Sequence, residues 1–250
     1  MLKKNKEREL QDYITNKLLI VFTLVFIGIF FAMYFYRASD ASAQAFVTIS
    51  NISKMGVALS LIGIVGCGTK VYLDKDKISD NPYKLITAKN LIPIFAVTCV
   101  YFGLINTFSI FSAVKYIYMF LTAVAVQYFV FVTYTNDVYL VTISNIVNLF
   151  FVYYIGENVR RAPYIALISL AFLGLVFWLI KTSRDNHGKM REIIIFNKNT
   201  DYKILLINVV VLGLITIVSL VLAFLGKAVG VLIGGLYLII IMFYNTLKLL

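Results

Sequence analysis

Asp74, Asp76 and Asp80 stand close together in the stretch DKDKISDNPYK, residues 74–84, and Asp185 stands in RDNHGK, residues 184–189. Carboxylates at such spacing are hard oxygen donors, suited to holding a divalent cation against the phosphates of a substrate. Each stretch follows a long apolar run, which puts both at the same face of a membrane-embedded chain. Lysines 75, 77 and 84 interleave with the first three acids. They would neutralise the cluster and repel a divalent ion, so a solvated, self-compensating loop that holds no metal is the preferred reading.

This layout, an acidic cluster after the second apolar run and a further acid after the sixth, resembles that of membrane-embedded prenyltransferases. The resemblance implies an enzyme that grips a lipid diphosphate through magnesium, with Asp74, Asp76, Asp80 and Asp185 as its catalytic carboxylates. The chain departs from that pattern in two places. Thr69-Lys70-Val71 stands where the family's first motif opens with Asn-Asp, and Asp185 stands nearly alone where the second motif repeats its acids. The lipid-diphosphate enzyme is therefore the alternative, and a non-enzymatic chain without a cofactor is the leading expectation.

Another candidate is GKAVGVLIGG, residues 226–235. A phosphate-binding loop of the form G-x-x-x-x-G-K-[ST] needs a glycine five residues before Gly226 and a hydroxyl after Lys227, but these positions are Val221 and Ala228. What remains is a repeat of Gly226, Gly230 and Gly234 on one helical face, where a neighbouring helix can come close. Gly56, Ser60, Gly63 and Cys67 recur at steps of four, three and four and form a second such face. Helix packing is the expected role of both stripes.

Amides form the third group: Gln127, Asn145 and Asn148, with Ser144 beside them. They fall inside apolar runs that otherwise carry no Asp, Glu, Lys, Arg or His, which argues against a proton relay through mid-membrane carboxylates. Asn145 and Asn148 share a helix face, and a tight Thr135-Asn136-Asp137 turn brings Gln127 to a matching depth. An amide without a partner in hydrocarbon is costly, so the three are expected to turn inward. There they would act as interhelical glue or, less favoured, as contacts for a transported substrate.

The elements that must position these groups are set by composition. Of the 250 residues, 61% are apolar, well above the 45–50% usual in soluble proteins. Eight runs are long enough to cross a hydrocarbon core of about 30 Å: 18–36, 55–73, 91–111, 116–135, 138–155, 162–180, 204–225 and 228–247. The expected fold is an all-α, polytopic integral membrane protein with 18–250 as its membrane domain. Residues 1–17 would form a basic, interfacial helix on the cytosolic side. The halves 18–135 and 138–250 would share one orientation, so a parallel internal repeat is conceivable, although no residue-level identity supports it.

The +11 net charge is distributed along the chain. Of the 23 basic residues, 17 fall before the first run, in alternate loops thereafter and in the C-terminal tail, and six fall in the others. The basic side is cytosolic, which puts both termini inside and favours the cell membrane over nucleic acid as the partner of this charge. Besides the bilayer, a protein partner at the cytosolic loops is left open. Ala41-Ser42-Ala43 after an apolar run imitates a secretory cleavage site, but the run is too long for a signal peptide and the first span is expected to be retained. Cys67 and Cys99 lack any metal-binding spacing and His187 is the single histidine, which leaves no zinc site. A transport component, or the membrane subunit of a complex, is the leading function, and a purely structural partner is a further alternative.

Overall fold

Backbone amides in hydrocarbon find no water to bond, so a chain this apolar must satisfy them within helices. The computed structural model describes residues 2–73, 87–186, 189–190, 193–194, 196, 200–225 and 229–249. In it the chain forms α1 (Leu2–Ala41), α2 (Ala43–Leu73), α3 (Ala88–Thr133), α4 (Asn136–Glu157), α5 (Ala162–Asp185), α6 (Tyr202–Phe224) and α7 (Gly230–Leu249). A 3-10 turn, Val159–Arg161, precedes α5, and β1 (Lys189–Met190) pairs antiparallel with β2 (Ile193–Ile194). Among the described residues the fold is all-helical apart from this pairing, and seven helices are long and apolar enough to cross a membrane, as an integral membrane protein requires.

The helices start and stop where local chemistry dictates. The Asp201 carboxylate caps α6 by accepting from the amides of Lys203 and Ile204 at 3.1 and 3.4 Å, and Pro163 sits in the first turn of α5, where its missing N–H costs nothing. The segment 37–54, which joins the first two apolar runs, is helical except at Ser42. Its alanines favour helix, whereas hydropathy registers only contact with lipid.

The chain divides into two compact units, Met1–Tyr128 and Phe129–Leu250. In the N-terminal unit α3 does not run straight. Ser109 has φ 60° and ψ 160°, outside any helical region. The Tyr101 hydroxyl donates to the Gly28 carbonyl at 3.2 Å, and a Cβ on Gly28 would lie 2.8 Å from Leu121 Cδ1. Residues 101 and 121 would be about 30 Å apart along a continuous helix, so both can meet Gly28 only if the chain turns back at Ser109. The sequence pattern placed this break after residue 111, a few residues late.

Contact registers give the directions of the four segments. Lys17 meets Asn90 and Gly28 meets Tyr101 at one constant offset, so α1 runs parallel to the part of α3 before Ser109. Ser53 with Asn106, Gly56 with Phe102 and Gly63 with Phe95 run in opposite senses, so α2 is antiparallel to that part. Gly28 with Leu121 and Tyr36 with Phe111 make α1 antiparallel to the part after Ser109. Val25, Ala32, Ile105, Ile110, Ala113 and Ile117 fill the core between them.

The C-terminal unit repeats this plan. Asn145 with Asn208 and Asn148 with Thr216 show α4 parallel to α6. Thr142 with Met242, and Gly234 with Leu149, show α7 antiparallel to α4. Ser169 with Thr216 places α5 against α6. Val141, Val152, Leu173, Ile180, Leu212 and Ile215 form the apolar core.

Candidate functional site

The chemistry-bearing residues of the C-terminal unit meet in its centre. Asn145, Asn148, Ser144, Ser169, Asn208 and Thr216 are all buried, none more than 2% exposed. Their side chains come from α4, α5 and α6, each of which turns one polar residue or more inward at the same depth. Helical spacing explains the first step: Asn145 and Asn148, three residues apart, lie on the face of α4 that meets α6.

Asn148 spends both amide hydrogens here. Nδ2 donates to Thr216 Oγ1 at 2.7 Å and to Ser169 Oγ at 3.2 Å. Thr216 gives its own proton to the Leu212 carbonyl at 3.0 Å, so in the 3.3 Å contact between Ser169 and Thr216 the serine is the donor. The three groups close a triangle.

A second knot lies one helical turn away. Asn145 Nδ2 donates to the Val141 carbonyl at 2.8 Å and to Asn208 Oδ1 at 2.9 Å. Asn208 Oδ1 also accepts from the Tyr237 hydroxyl of α7 at 3.0 Å, while its Nδ2 donates to Ser144 Oγ at 3.3 Å. Ser144 is itself donor to the Leu140 and Val141 carbonyls at 2.8 and 2.9 Å. One atom is left over: Asn145 Oδ1 is buried and has no hydrogen-bond partner among the described residues. Chemically the cluster holds amides, aliphatic hydroxyls and one phenol. None of these is a strong base or an activated nucleophile at neutral pH.

Of the amides singled out in the sequence, Asn145 and Asn148 are thus brought together. Gln127 belongs to the N-terminal unit, and the side-chain partners found for the two asparagines come from α5 and α6. Asn208, Thr216, Ser169 and Tyr237 escaped sequence reasoning because they are remote along the chain. A signal was present for Asn208, an amide in the otherwise apolar run of α6.

The glycine stripes border helix contacts. A Cβ on Gly230 would collide with Ser219 Oγ and come within 2.7 Å of Ser219 Cβ and 3.1 Å of Val152 Cγ1. At Gly234 it would lie 2.7 Å from Leu149 Cδ2. In α2 the ring of Phe102 occupies the notch of Gly56 and that of Phe95 the notch of Gly63, while Ser60 is buried and donates to the Gly56 carbonyl at 2.7 Å. Cys67 and Cys99 are free thiols, half-buried. Gly226 lies outside the described residues.

So do Asp74, Asp76 and Asp80. Asp185 ends α5, where its exposed carboxylate meets Arg184 Nε at 3.4 Å. Among the described residues no three His, Cys, Asp or Glu side chains converge as a metal site would require. Comparison of the chain with protein-family models, with curated proteins and with solved structures gave no match.

Proposed function

We propose that the protein is a non-enzymatic, multi-pass component of the cell membrane that serves as the membrane subunit of a larger complex. In this reading the two parts of α3 cross separately, giving eight spans with both termini in the cytoplasm. The charge asymmetry supports that orientation. Each part, Ala88–Phe108 and Ile110–Thr133, is about 30 Å or longer at 1.5 Å per residue, enough for a crossing.

The observation that carries the functional reading is the near-complete saturation of the buried cluster. Its described donors are spent on neighbouring helices or on carbonyls of their own helix, so it serves as a fastener rather than an open binding surface. Mild extraction followed by native mass spectrometry tests this. A complex of fixed stoichiometry with one other protein is expected, and a chain that is always recovered alone would contradict it.

A second reading has one specific observation in its favour. Asn145 Oδ1 is an acceptor without a donor, and a small neutral substrate carrying an N–H or O–H could supply one during transport. Under that reading Asn145→Leu abolishes ligand-induced stabilisation. Under the first it changes stability alone.

A further inference from the structure

Three lysines converge at one end of the N-terminal unit. Lys17 stands where α1 passes from its polar start to its apolar run, and its ammonium donates to Asn90 Oδ1 at 3.1 Å while lying 4.5 Å from the centre of the Tyr13 ring. Hydrogen bonds tie the Tyr13 hydroxyl to Lys17 and Asn90, and Lys89 is near enough to act on it electrostatically. The antiparallel register that pairs Gly63 with Phe95 carries on to place Lys70, in the last turn of α2, level with Ala88 and Lys89. Among the described residues Lys17 is held by an amide and an aromatic face, not by a carboxylate. Asp12, the acid nearest to it in sequence, lies five residues back, about 140° round the helix at 100° per residue.

Apolar side chains continue from this rim. Leu19 and Ile20 on α1, and Ile62 and Val65 in the turns of α2 that precede Lys70, are exposed. A cationic rim directly above exposed hydrocarbon matches an amphiphile with an anionic head and an apolar tail. A free phosphate would leave the apolar part uncovered.

We infer that Lys17, Lys70 and Lys89, with Asn90 and Tyr13, form a site for the phosphate of an anionic phospholipid whose acyl chains lie along α1 and α2. Lys17 and Asn90 are positioned to hold a phosphate oxygen, while Lys70 and Lys89 supply charge from either side. The site ties the start of α3 to α1 and would steady the unit in an anionic leaflet.

Lipid retention tests this. Wild type and the K17Q/K70Q/K89Q variant are placed in nanodiscs of phosphatidylcholine with or without phosphatidylglycerol, then stripped stepwise and weighed by native mass spectrometry. Wild type is expected to keep phosphatidylglycerol, and the variant to keep about tenfold less, with phosphatidylcholine unchanged. Arg160→Gln/Arg161→Gln, in the C-terminal unit, should retain lipid as wild type does. The K17R/K70R/K89R variant should rescue binding, which separates loss of charge from loss of fold. Retention by the glutamine variant equal to wild type would overturn the site. So would inorganic phosphate that, in phosphatidylcholine alone, raised the thermal midpoint as far as phosphatidylglycerol does, since the ligand would then be a soluble anion.

Discussion

The rings of Phe108 and Tyr116 lie 4.7 Å apart, although eight residues of continuous helix would separate them by about 12 Å along the axis. They face each other across the reversal at Ser109. If the two parts of α3 cross the membrane separately, Ser112 emerges on the same side as Ser42. In a Cys67→Ala, Cys99→Ala background, Ser42→Cys and Ser112→Cys should react with an impermeant maleimide from one side and Ser79→Cys from the other. A silent Ser112→Cys would mean that α3 crosses once.

Ser109 occupies a backbone region that is almost exclusive to glycine, with φ 60° and ψ 160°. Ser109→Gly should therefore stabilise the protein by about 1 kcal/mol, and a β-branched Ser109→Val should destabilise it. Thermal unfolding in nanodiscs reads both. A glycine variant less stable than wild type would show that the serine side chain is needed at the turn.

Gly230 leaves no room for a side chain, because Ser219 and Val152 lie against it. Gly230→Leu should cost about 1–3 kcal/mol through overpacking. Leu232, exposed on α7, is the control, and Leu232→Ala should be close to silent. Equal thermal midpoints for Gly230→Leu and wild type would place Gly230 against lipid.

Much of this architecture was legible in the sequence, for a physical reason: hydrocarbon forces long apolar helices, and helical steps show which residues share a face. Asn145 and Asn148 could be paired in that way, and so could Gly230 and Gly234. What filled the other side of each contact could not. The rings in the notches of Gly56 and Gly63 come from residues 102 and 95, and nothing local marks a phenylalanine as the partner of a particular glycine. Thr216 and Asn208 likewise reach α4 only through the fold. The break at Ser109 was displaced because FSIFSAVKY carries no glycine or proline to mark a turn. Residues 37–54 fall between two apolar runs, and polarity alone does not separate a helix outside hydrocarbon from irregular backbone.

If Asn145 Oδ1 receives no donor in the working protein, replacing the side chain should be mild. Asn145→Leu removes the bond to Asn208 and should lower stability modestly, by about 1 kcal/mol or less, because lost interhelical bonds in membranes are individually small. A large loss of ligand-dependent stabilisation with the midpoint unchanged would favour transport.

The most direct test is the coupling between Asn148 and Thr216, whose 2.7 Å bond joins α4 to α6. Asn148→Leu, Thr216→Val and the double variant are compared by reversible unfolding in lipid, alongside recovery of the intact complex. A fastening role predicts a coupling energy of about 0.6 kcal/mol, with partner recovery falling in step with stability. A coupling of zero, with stability intact and flux of a small solute abolished by either single variant, would contradict the account.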